Sequence, residues 1–388
     1  MLDYQTAGES HGPALITTIT GLPAGLSLDM DLINRELARR QGGYGRGGRQ
    51  KIETDTMSFL CGVRLGRAIG SPLVFQIPNK DSRLDDLAKT PPVHRPRPGH
   101  ADLAGSIKWL TTDCRQTLER ASARETASRV GAGAIAKCLL AHLGIEVFGF
   151  VRQIELARTE VEVTEDNWRS LIAVRDASDT YTLDETATEA QRAAIRSAKE
   201  DKDTVGGLVE CHVFGLPPGI GSSMDWTTRL DARIAYAVMG IQAFKAVQIG
   251  AGVRAGETRG SALHDPIHYD PAKKDSHTLG FTRTSNNAGG LEGGMTNSQP
   301  IVVTGTMKPI STLLQGLPSV DLNTKKPEQS QYERSDVCAV SAASVVMENV
   351  VAFEIARALL AKFGGDSMTE LDANYKSFMA LARKLPLG

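Results

Sequence analysis

Residues 119–142 read ERASARETASRVGAGAIAKCLLAH, and this stretch decides the fold. Its small side chains include Ala121, Ala123, Ala127, Ala132, Ala134 and Ala136. Alanine has the highest helix propensity, and small side chains let neighbouring elements approach closely. Gly144 then provides a helix stop. We therefore predict one or two helices between Leu103 and His142, the second of them closely buried.

Strands and helices are predicted on both sides of this stretch. The predicted strands are Ala14–Thr20, Ile52–Val63, Leu73–Ile77, Thr204–Phe214, Ala246–Val253 and Pro300–Met307. The predicted helices are one capped near Asp29 and stopped at Gly42, then Trp168–Val174, Glu185–Lys199, Asp231–Phe244 and Asp336–Phe363. Because strands and helices do not alternate strictly, the pattern favours an α+β fold with largely antiparallel sheets.

Charge and cysteine usage exclude several classes of protein. The 388 residues include 44 Lys and Arg against 45 Asp and Glu, so no overall field draws the chain to nucleic acid or to a membrane. Local clusters must therefore hold any anionic ligand. The five cysteines are scattered and never spaced as Cys-x-x-Cys, which argues against a disulfide framework and a zinc site.

The ends and apolar segments of the chain indicate a soluble protein. The first twelve residues lack the basic and apolar regions of a secretion signal. The apolar run Val345–Phe363 is interrupted by Glu348 and Glu354. We expect a cytoplasmic protein, and length alone leaves the number of domains open.

The motif Gly8-Glu-Ser-His-Gly12 matches the G-x-S-x-G pattern of a hydrolase elbow, with Ser10 as nucleophile. Such an elbow needs several preceding strands, and only seven residues precede Gly8. The structural alternative is a tight N-terminal turn with His11 in solvent.

A glycine-rich loop with arginines follows the first predicted helix. Gly43-Tyr-Gly-Arg-Gly-Gly48 matches the dinucleotide motif G-x-G-x-x-G, but a helix precedes it where a strand is required. RNA-binding RGG tracts are usually repeated and terminal, whereas this one is single and internal. A loop that presents Arg40, Arg46 and Arg49 to a phosphorylated ligand fits better, because guanidinium groups suit carboxylate and phosphate. A solvated basic loop is the alternative.

Two histidine-containing segments suggest different chemistry. The loop His94-Arg-Pro-Arg-Pro-Gly-His100 combines cations with imidazoles and suits anion binding and proton transfer. Taken alone, such a segment is more often surface loop. His264, His268 and His277 could suggest a metal site, but Pro266 keeps the first pair off a shared helix face. We expect no metal.

Three further segments could contact a ligand. Arg120 and Arg124 would lie on one face of a helix, where Glu125 and Arg129 form an i, i+4 ion pair. Lys308-Pro-Ile-Ser-Thr312 offers a cation, hydroxyls and backbone donors, as a phosphate site would. Asp336 is either a helix N-cap or a ligand contact.

In their order along the chain, these motifs resemble the chorismate synthase family. Three blocks carry the resemblance: Gly8-Glu-Ser-His-Gly12 with Gly21-Leu-Pro23, Glu119-Arg-Ala-Ser-Ala-Arg-Glu-Thr126 with Val130-Gly-Ala-Gly133, and Arg334-Ser-Asp336. Similar segments between them are Gly42–Arg49, Arg97–Asp102, Leu230–Arg233, Gly289–Asn297 and Lys308–Thr312. The resemblance covers about Gly8 to Ala356.

The resemblance implies both a fold and an activity. The fold would be helices sandwiched between antiparallel sheets in a single domain over residues 1–388, assembled as a homotetramer. The activity would be that of a lyase that removes phosphate from 5-enolpyruvylshikimate 3-phosphate by a 1,4-anti elimination, giving chorismate. The family requires reduced FMN, although the reaction has no net redox change.

The resemblance also implies residue roles. His11 would donate a proton on the side of the departing phosphate, His100 would lie near flavin N1, and Asp336 would tune or deprotonate flavin N5. Flavin-contacting positions would be Arg120, Ala121, Ser122, Gln242, Ala243, Gly293, Lys308, Pro309, Ile310, Ser311, Thr312 and Arg334. Substrate-binding positions would be Ser10, Arg40, Arg46, Arg49, Arg124 and Arg334. Arg40 and Arg46 also occupy positions associated with NADPH.

Some positions depart from the family pattern. Ala121 and Cys61 stand where Ser is usual, Arg67-Ala68 where Lys-Thr is common, and Ser298 where Gly is common. None of these changes removes a charged group assigned to the site. The recognised blocks are joined without the long insertions of bifunctional members, so we expect a monofunctional enzyme whose reduced flavin comes from a separate flavin reductase.

Overall fold

The computed structural model describes residues 1–47, 54–333 and 335–387. The α-helices in these ranges are α1 (Met30–Gln41), α2 (Asp102–Lys108), α3 (Arg115–Ala121), α4 (Thr126–His142), α5 (Trp168–Ala177), α6 (Glu185–Glu200), α7 (Leu230–Met239), α8 (Gly260–Leu263), α9 (Val340–Phe363) and α10 (Met368–Ala382). The strands are β1 (Asp3–Ala7), β2 (Ala14–Thr20), β3 (Ser58–Cys61), β4 (Val63–Arg64), β5 (Arg67–Ala68), β6 (Leu73–Pro78), β7 (Glu146–Ile154), β8 (Ala157–Arg158), β9 (Gly207–Phe214), β10 (Phe244–Ile249), β11 (Ile267–Tyr269), β12 (Phe281–Arg283), β13 (Leu291–Glu292), β14 (Met295–Thr296), β15 (Ile301–Met307), β16 (Pro318–Val320) and β17 (Pro327–Gln329).

Two antiparallel sheets form the outer layers. The first has the strand order β1-β2-β6-β3, and the second has the order β10-β15-β9-β7-β8. The strand β2 shows the expected alternation, with Leu15, Thr17 and Ile19 buried and their neighbours partly exposed. Four two-stranded hairpins, such as β13 with β14, lie outside these sheets in the described part of the chain.

The helices α4 and α9 fill the space between the two sheets. The helix α4 packs against β2, whereas α9 packs against β7 and β9, and the two helices pack on each other. Every residue from Val340 to Ala356 is buried, so this part of α9 is covered on all faces. A Cβ atom on Gly133 of α4 would lie 2.2 Å from the carbonyl oxygen of Asn349. The prediction of a closely buried small-residue helix within an α+β sandwich is therefore confirmed.

Buried charges join α1 to this central helix pair. Lys137 Nζ lies 2.7 Å from Glu36 and also contacts Glu348, and Arg39 Nη2 lies 3.0 Å from Glu348. Burial alone would raise the pKa of Glu36, but the charges of Lys137 and Arg39 lower it well below its usual range. Because breaking such buried pairs is costly, the cluster fixes the last turn of α1, which carries Arg40.

The predicted element boundaries are confirmed where local signals were strong. Asp29 caps α1 with its side chain, and Gly42 follows the helix as predicted. The helix predicted over Asp231–Phe244 is too long, because it ends at Met239 and Phe244 begins β10. The strands β1 and β7 and the helix α10 were not predicted. The strand predicted over Ile52–Val63 begins outside the described residues, and its described part contains β3.

Candidate active site

His11 lies in the turn between β1 and β2. Gly8 shapes this turn, since its φ is +105° and a Cβ atom there would lie 2.4 Å from the carbonyl oxygen of Ala14. The ring atom Nδ1 of His11 lies 2.8 Å from Glu119 Oε1, and the main-chain N–H of His11 donates to Glu119 Oε2 at 2.8 Å. On the other side of the ring, Nε2 lies 3.4 Å from Arg83 Nη2 and 3.7 Å from Asp81.

The surroundings of Ser10 do not form a hydrolase elbow. The segment around Ser10 runs from strand to strand, whereas an elbow turns from a strand into a helix. Ser10 is buried, and its Oγ accepts a hydrogen bond from Ser122 at 3.1 Å. This geometry brings Ser10 and Ser122, both predicted ligand contacts, next to each other.

Two buried arginines share one buried carboxylate behind this turn. Arg40 Nη1 donates to Asp55 at 3.2 Å, and Arg124 Nη1 donates to Asp55 at 2.6 Å. Arg124 also donates to Asn79 at 2.8 Å, and Asn79 in turn donates to the carbonyl oxygen of Gly12 at 2.8 Å. Burial lowers the pKa of Arg40 to about 10, although Asp55 opposes this shift. Both predicted substrate arginines thus lie beside the His11 turn.

Asp336 lies at the other end of the arginine network. Its Oδ2 is 2.9 Å from Arg46 Nε, and its Oδ1 accepts from the main-chain N–H of Gly47 at 2.5 Å. Arg46 Nη1 donates to the carbonyl oxygen of Arg40 at 3.4 Å. The alternative that Asp336 caps the last long helix is wrong, because α9 begins at Val340 and no side chain caps it. Asp336 therefore holds Arg46 and the main chain of Gly47 in place.

His100 belongs to a second buried ionic cluster. Its Nδ1 contacts Asp102, and Arg97 donates to Asp102 at 2.8 Å and to Thr312 at 2.9 Å. Burial alone would raise the pKa of Asp102, but hydrogen bonds from His100 and Arg97 lower it well below its usual range. This cluster joins the His94–His100 loop to the Lys308–Thr312 segment.

The predicted flavin contacts Gln242, Ala243 and Lys308 lie at one end of the second sheet. The main-chain N–H of Lys308 donates to Ala243 at 3.0 Å. Gln242 Nε2 donates to Glu125 at 2.9 Å, while its buried Oε1 has no hydrogen-bond partner among the described residues. Burial, together with the charge of Lys245, lowers the pKa of Lys308.

The prediction that Arg120 and Arg124 share a helix face is wrong. The helix α3 ends at Ala121, Ser122 is extended, and a short 3₁₀ turn separates α3 from α4. Arg120 instead donates to the main chain of Thr6 at 2.9 Å. The ion pair between Glu125 and Arg129 is confirmed at 2.9 Å.

One predicted site residue lies apart from the others, and two are outside the described residues. Gly293 is exposed at the tip of the β13–β14 hairpin, where a Cβ atom would approach Ser223. Arg49 and Arg334 lie outside the described residues.

A cavity of about 430 Å³ extends from Asp336 to Thr312, and neither His11 nor His100 lines it. Arg46, Asp336 and Thr312 line it. Three exposed cations of the α6 region, Arg196, Lys199 and Lys202, also contribute, so cations outnumber acids among the lining residues. A larger cavity of about 990 Å³ lies behind Glu125, but its lining includes none of the predicted site residues. The smaller cavity is the better candidate for an anionic ligand.

Sequence reasoning missed the carboxylates that hold the site together. Glu119 and Asp102 lie inside the segments that we singled out, next to or near the residues they bind. The sequence offered one indication for each: Asp102 lies two residues after His100, and Glu119 begins the Glu119–Thr126 block. Asp55 follows the glycine-rich loop, and nothing in its local sequence indicates that it binds two distant arginines.

Searches for other kinds of site give negative results within the described ranges. Their side chains contain no group of three or more His, Cys, Asp or Glu arranged to hold a metal ion. None of the helices described is long and apolar enough to span a bilayer.

Comparisons with known proteins give one consistent result. A family model described as chorismate synthase matches residues 2–360. A chorismate synthase of Geobacter sulfurreducens is 50% identical, covering 99% of this chain and 100% of that protein. One of Desulforudis audaxviator is 49% identical, covering 99% and 98%. A solved crystal structure of a chorismate synthase superposes with a TM-score of 0.79 at 36% identity, covering 99% of each chain.

Proposed function

Because the chain belongs to the chorismate synthase family, we propose that His11, His100 and Asp336 are its catalytic residues. The enzyme is a carbon-oxygen lyase that eliminates phosphate from 5-enolpyruvylshikimate 3-phosphate to give chorismate, and the family uses reduced flavin. The observation that carries the proposal is the pairing of each histidine with a buried carboxylate, Glu119 or Asp102.

The residues around Lys308 fit the chemistry of FMN. Lys308 is partly buried. Within the described part of the chain, the one hydrogen bond of its Nζ is a 3.4 Å contact with a carbonyl oxygen, so a phosphate could serve as its counter-ion. The orphaned Oε1 of Gln242 suits an N–H donor such as the flavin ring imide. We therefore propose Gln242 and Lys308 as FMN contacts. On family membership we extend the proposal to Arg120, Ala121, Ser122, Ala243, Gly293, Pro309, Ile310, Ser311, Thr312 and Arg334. When bound, reduced flavin supplies electron density to the allylic carbon as phosphate departs.

The two histidines move protons in this proposal. Because Nδ1 of each ring lies beside a carboxylate, we assign proton exchange to Nε2, which in His100 lies 3.4 Å from Arg97 Nη2. His11 donates a proton on the side of the departing phosphate, which neutralises charge as the carbon-oxygen bond breaks. His100 would lie near N1 of the bound flavin. Asp336 would tune or deprotonate flavin N5, which would help to remove the hydrogen from the substrate ring.

The arginines bind the anionic substrate. Ser10, Arg40, Arg46, Arg49, Arg124 and Arg334 are the proposed contacts. Arg40 and Arg124 are held together by Asp55 within a low-dielectric site, where a carboxylate or phosphate of the substrate gains more than in water. Arg40, in the last turn of α1, and Arg46, in the loop after it, are also the proposed contacts of NADPH.

Further proposals concern the whole protein. One hydrophobic cluster runs from Leu2 to Leu371, which supports a single domain over residues 1–388. We propose a cytoplasmic homotetramer that binds neither nucleic acid nor membrane. We also propose a monofunctional enzyme that depends on a separate flavin reductase, because binding NADPH does not by itself align a hydride with the flavin.

Anaerobic assays of phosphate and chorismate release test the proposal. Product should form with reduced FMN and not with oxidised FMN. His11→Ala and His100→Ala should each lower turnover by roughly two to four decades with the fold intact by circular dichroism. Equal turnover with oxidised FMN, or a loss below about threefold in both variants, would refute the assigned roles.

Aerobic NADPH and FMN should yield little chorismate until a flavin reductase is added. Strong product formation by the purified protein alone would show that the enzyme is bifunctional.

A further inference from the structure

Glu119 binds His11 at two points rather than one. Its Oε2 accepts from the main-chain N–H of His11, and its Oε1 lies 2.8 Å from the ring Nδ1. The carbonyl oxygen of Glu119 also accepts from the main-chain N–H of Ser10 at 3.1 Å. One residue of α3 therefore holds both the backbone of the β1–β2 turn and the orientation of the imidazole ring.

The carboxylate of Glu119 is ionised in this setting. It is only 2% exposed, and burial alone would raise its pKa, but the hydrogen bond and charge of His11 lower it. Arg115 Nη1, on the same helix, lies 3.6 Å from Glu119 Oε1 and adds a further positive charge. An ionised carboxylate accepts hydrogen bonds only, so Nδ1 of His11 must carry a proton.

The ring has a different environment at Nε2. Arg83 and Asp81, from the segment after β6, face this atom at 3.4 and 3.7 Å. Nε2 is therefore the ring nitrogen that lies away from Glu119.

We propose that Glu119 is the positioning residue of His11, fixing the Nδ1–H form of the ring and directing Nε2 toward the substrate. The inference rests on the proposed function of His11 as proton donor. It assigns to Glu119 a role in the reaction beyond holding α3 to the N-terminal turn. The carboxylate also stabilises the charged ring from which the proton is given.

The variant Glu119→Gln tests this role with little change in volume. If the amide oxygen keeps the bond to the main chain of His11, the amide NH₂ faces Nδ1 and donates to it. The ring then carries its proton on Nε2. In ¹⁵N spectra of histidine-labelled protein, with the His11 signals identified by their loss in His11→Ala, the proton should move from Nδ1 to Nε2.

Turnover should fall by about 10- to 1000-fold in Glu119→Gln, with KM for the substrate changed less than about threefold. In the His11→Ala background the same substitution should cost less than about twofold, because the group through which it acts is gone. Glu119→Asp, which keeps the charge, should recover part of the activity. Glu185→Gln, at an exposed glutamate of α6, is the matched control and should change neither spectrum nor turnover.

An equal loss in both backgrounds would mean a structural role for Glu119 and would overturn the inference. An unchanged ring spectrum in Glu119→Gln would overturn it as well. If His11→Ala keeps full turnover, the proposed function of His11 is wrong, and the spectra alone then decide whether Glu119 fixes the ring.

Discussion

Replacing Asp55 with Asn should destabilise the enzyme strongly and make its stability depend on bound anions. The Asp55 carboxylate is fully buried and accepts one charge-assisted bond each from Arg40 and Arg124. Each such bond contributes about 1.5–3 kcal/mol, and removing one partner of a buried ion pair costs about 3–5 kcal/mol. The neutral amide of the Asp55→Asn variant would remove the charge that both buried guanidinium groups share.

We expect a loss of about 4 kcal/mol in the free energy of unfolding without ligand. Inorganic phosphate should recover part of this loss, since an anion between the two arginines replaces the missing charge. Urea denaturation of wild type and variant, with phosphate or with chloride at equal ionic strength, measures both effects. The substitution Asp366→Asn, at an exposed aspartate far along the chain, serves as the control.

A loss below about 1 kcal/mol would show that water or another residue already compensates the arginines, and the description of this cluster would then be wrong. Equal stabilisation of wild type and variant by phosphate would contradict the assignment of the pair as an anion site.

Three further predictions concern single residues. Because the pKa of Asp102 is lowered in the folded enzyme, its ionised form contributes stability above about pH 4, and this stability is lost as pH falls. In acid titrations, the unfolding free energy of Asp102→Asn should therefore fall less steeply than that of the wild type between about pH 4 and pH 2. Cys61 is exposed while the four other cysteines are buried, so Ellman's reagent should modify one thiol in the native enzyme, and Cys61→Ser should abolish the fast phase. Ser298 has φ +67°, so Ser298→Val should cost about 2 kcal/mol in thermal or urea unfolding while Ser298→Gly is tolerated; equal stability of both variants would contradict this.

The sequence predicted what depends on neighbouring residues in the chain. The cap at Asp29, the stop at Gly42 and the strand Ala14–Thr20 all follow from local patterns, and each is confirmed. The strand β1 was missed because its five residues lie on an edge of the sheet and are mostly polar and partly exposed. The helix boundary after Met239 was missed because apolar residues continue into β10 without a strong break.

In the candidate site, too, local sequence predicted some residues and not others. The order of motifs indicated His11, His100 and the arginines, because these residues lie in recognisable segments. Their carboxylate partners could not be assigned, since Asp55 and Arg124 are 69 residues apart and His11 and Glu119 are 108 apart. Such pairings depend on how β6, α3 and α4 are arranged in space, which no local pattern specifies. At Ser298 the structure instead explains a sequence expectation. Its φ of +67° is a left-handed backbone conformation that favours glycine, the residue that the resemblance predicts there.

The position of α9 in the chain has a consequence for biosynthesis. This helix fills the centre of the sandwich, yet it is made about 200 residues after α4, which it covers. At roughly 5–20 residues per second, a ribosome needs on the order of 10–40 seconds to bridge that gap. During this time the nascent chain carries an uncovered apolar surface on α4 and on the inner faces of β7 and β9. The enzyme should therefore depend on chaperones as it is made, and chains released before residue 340 should aggregate.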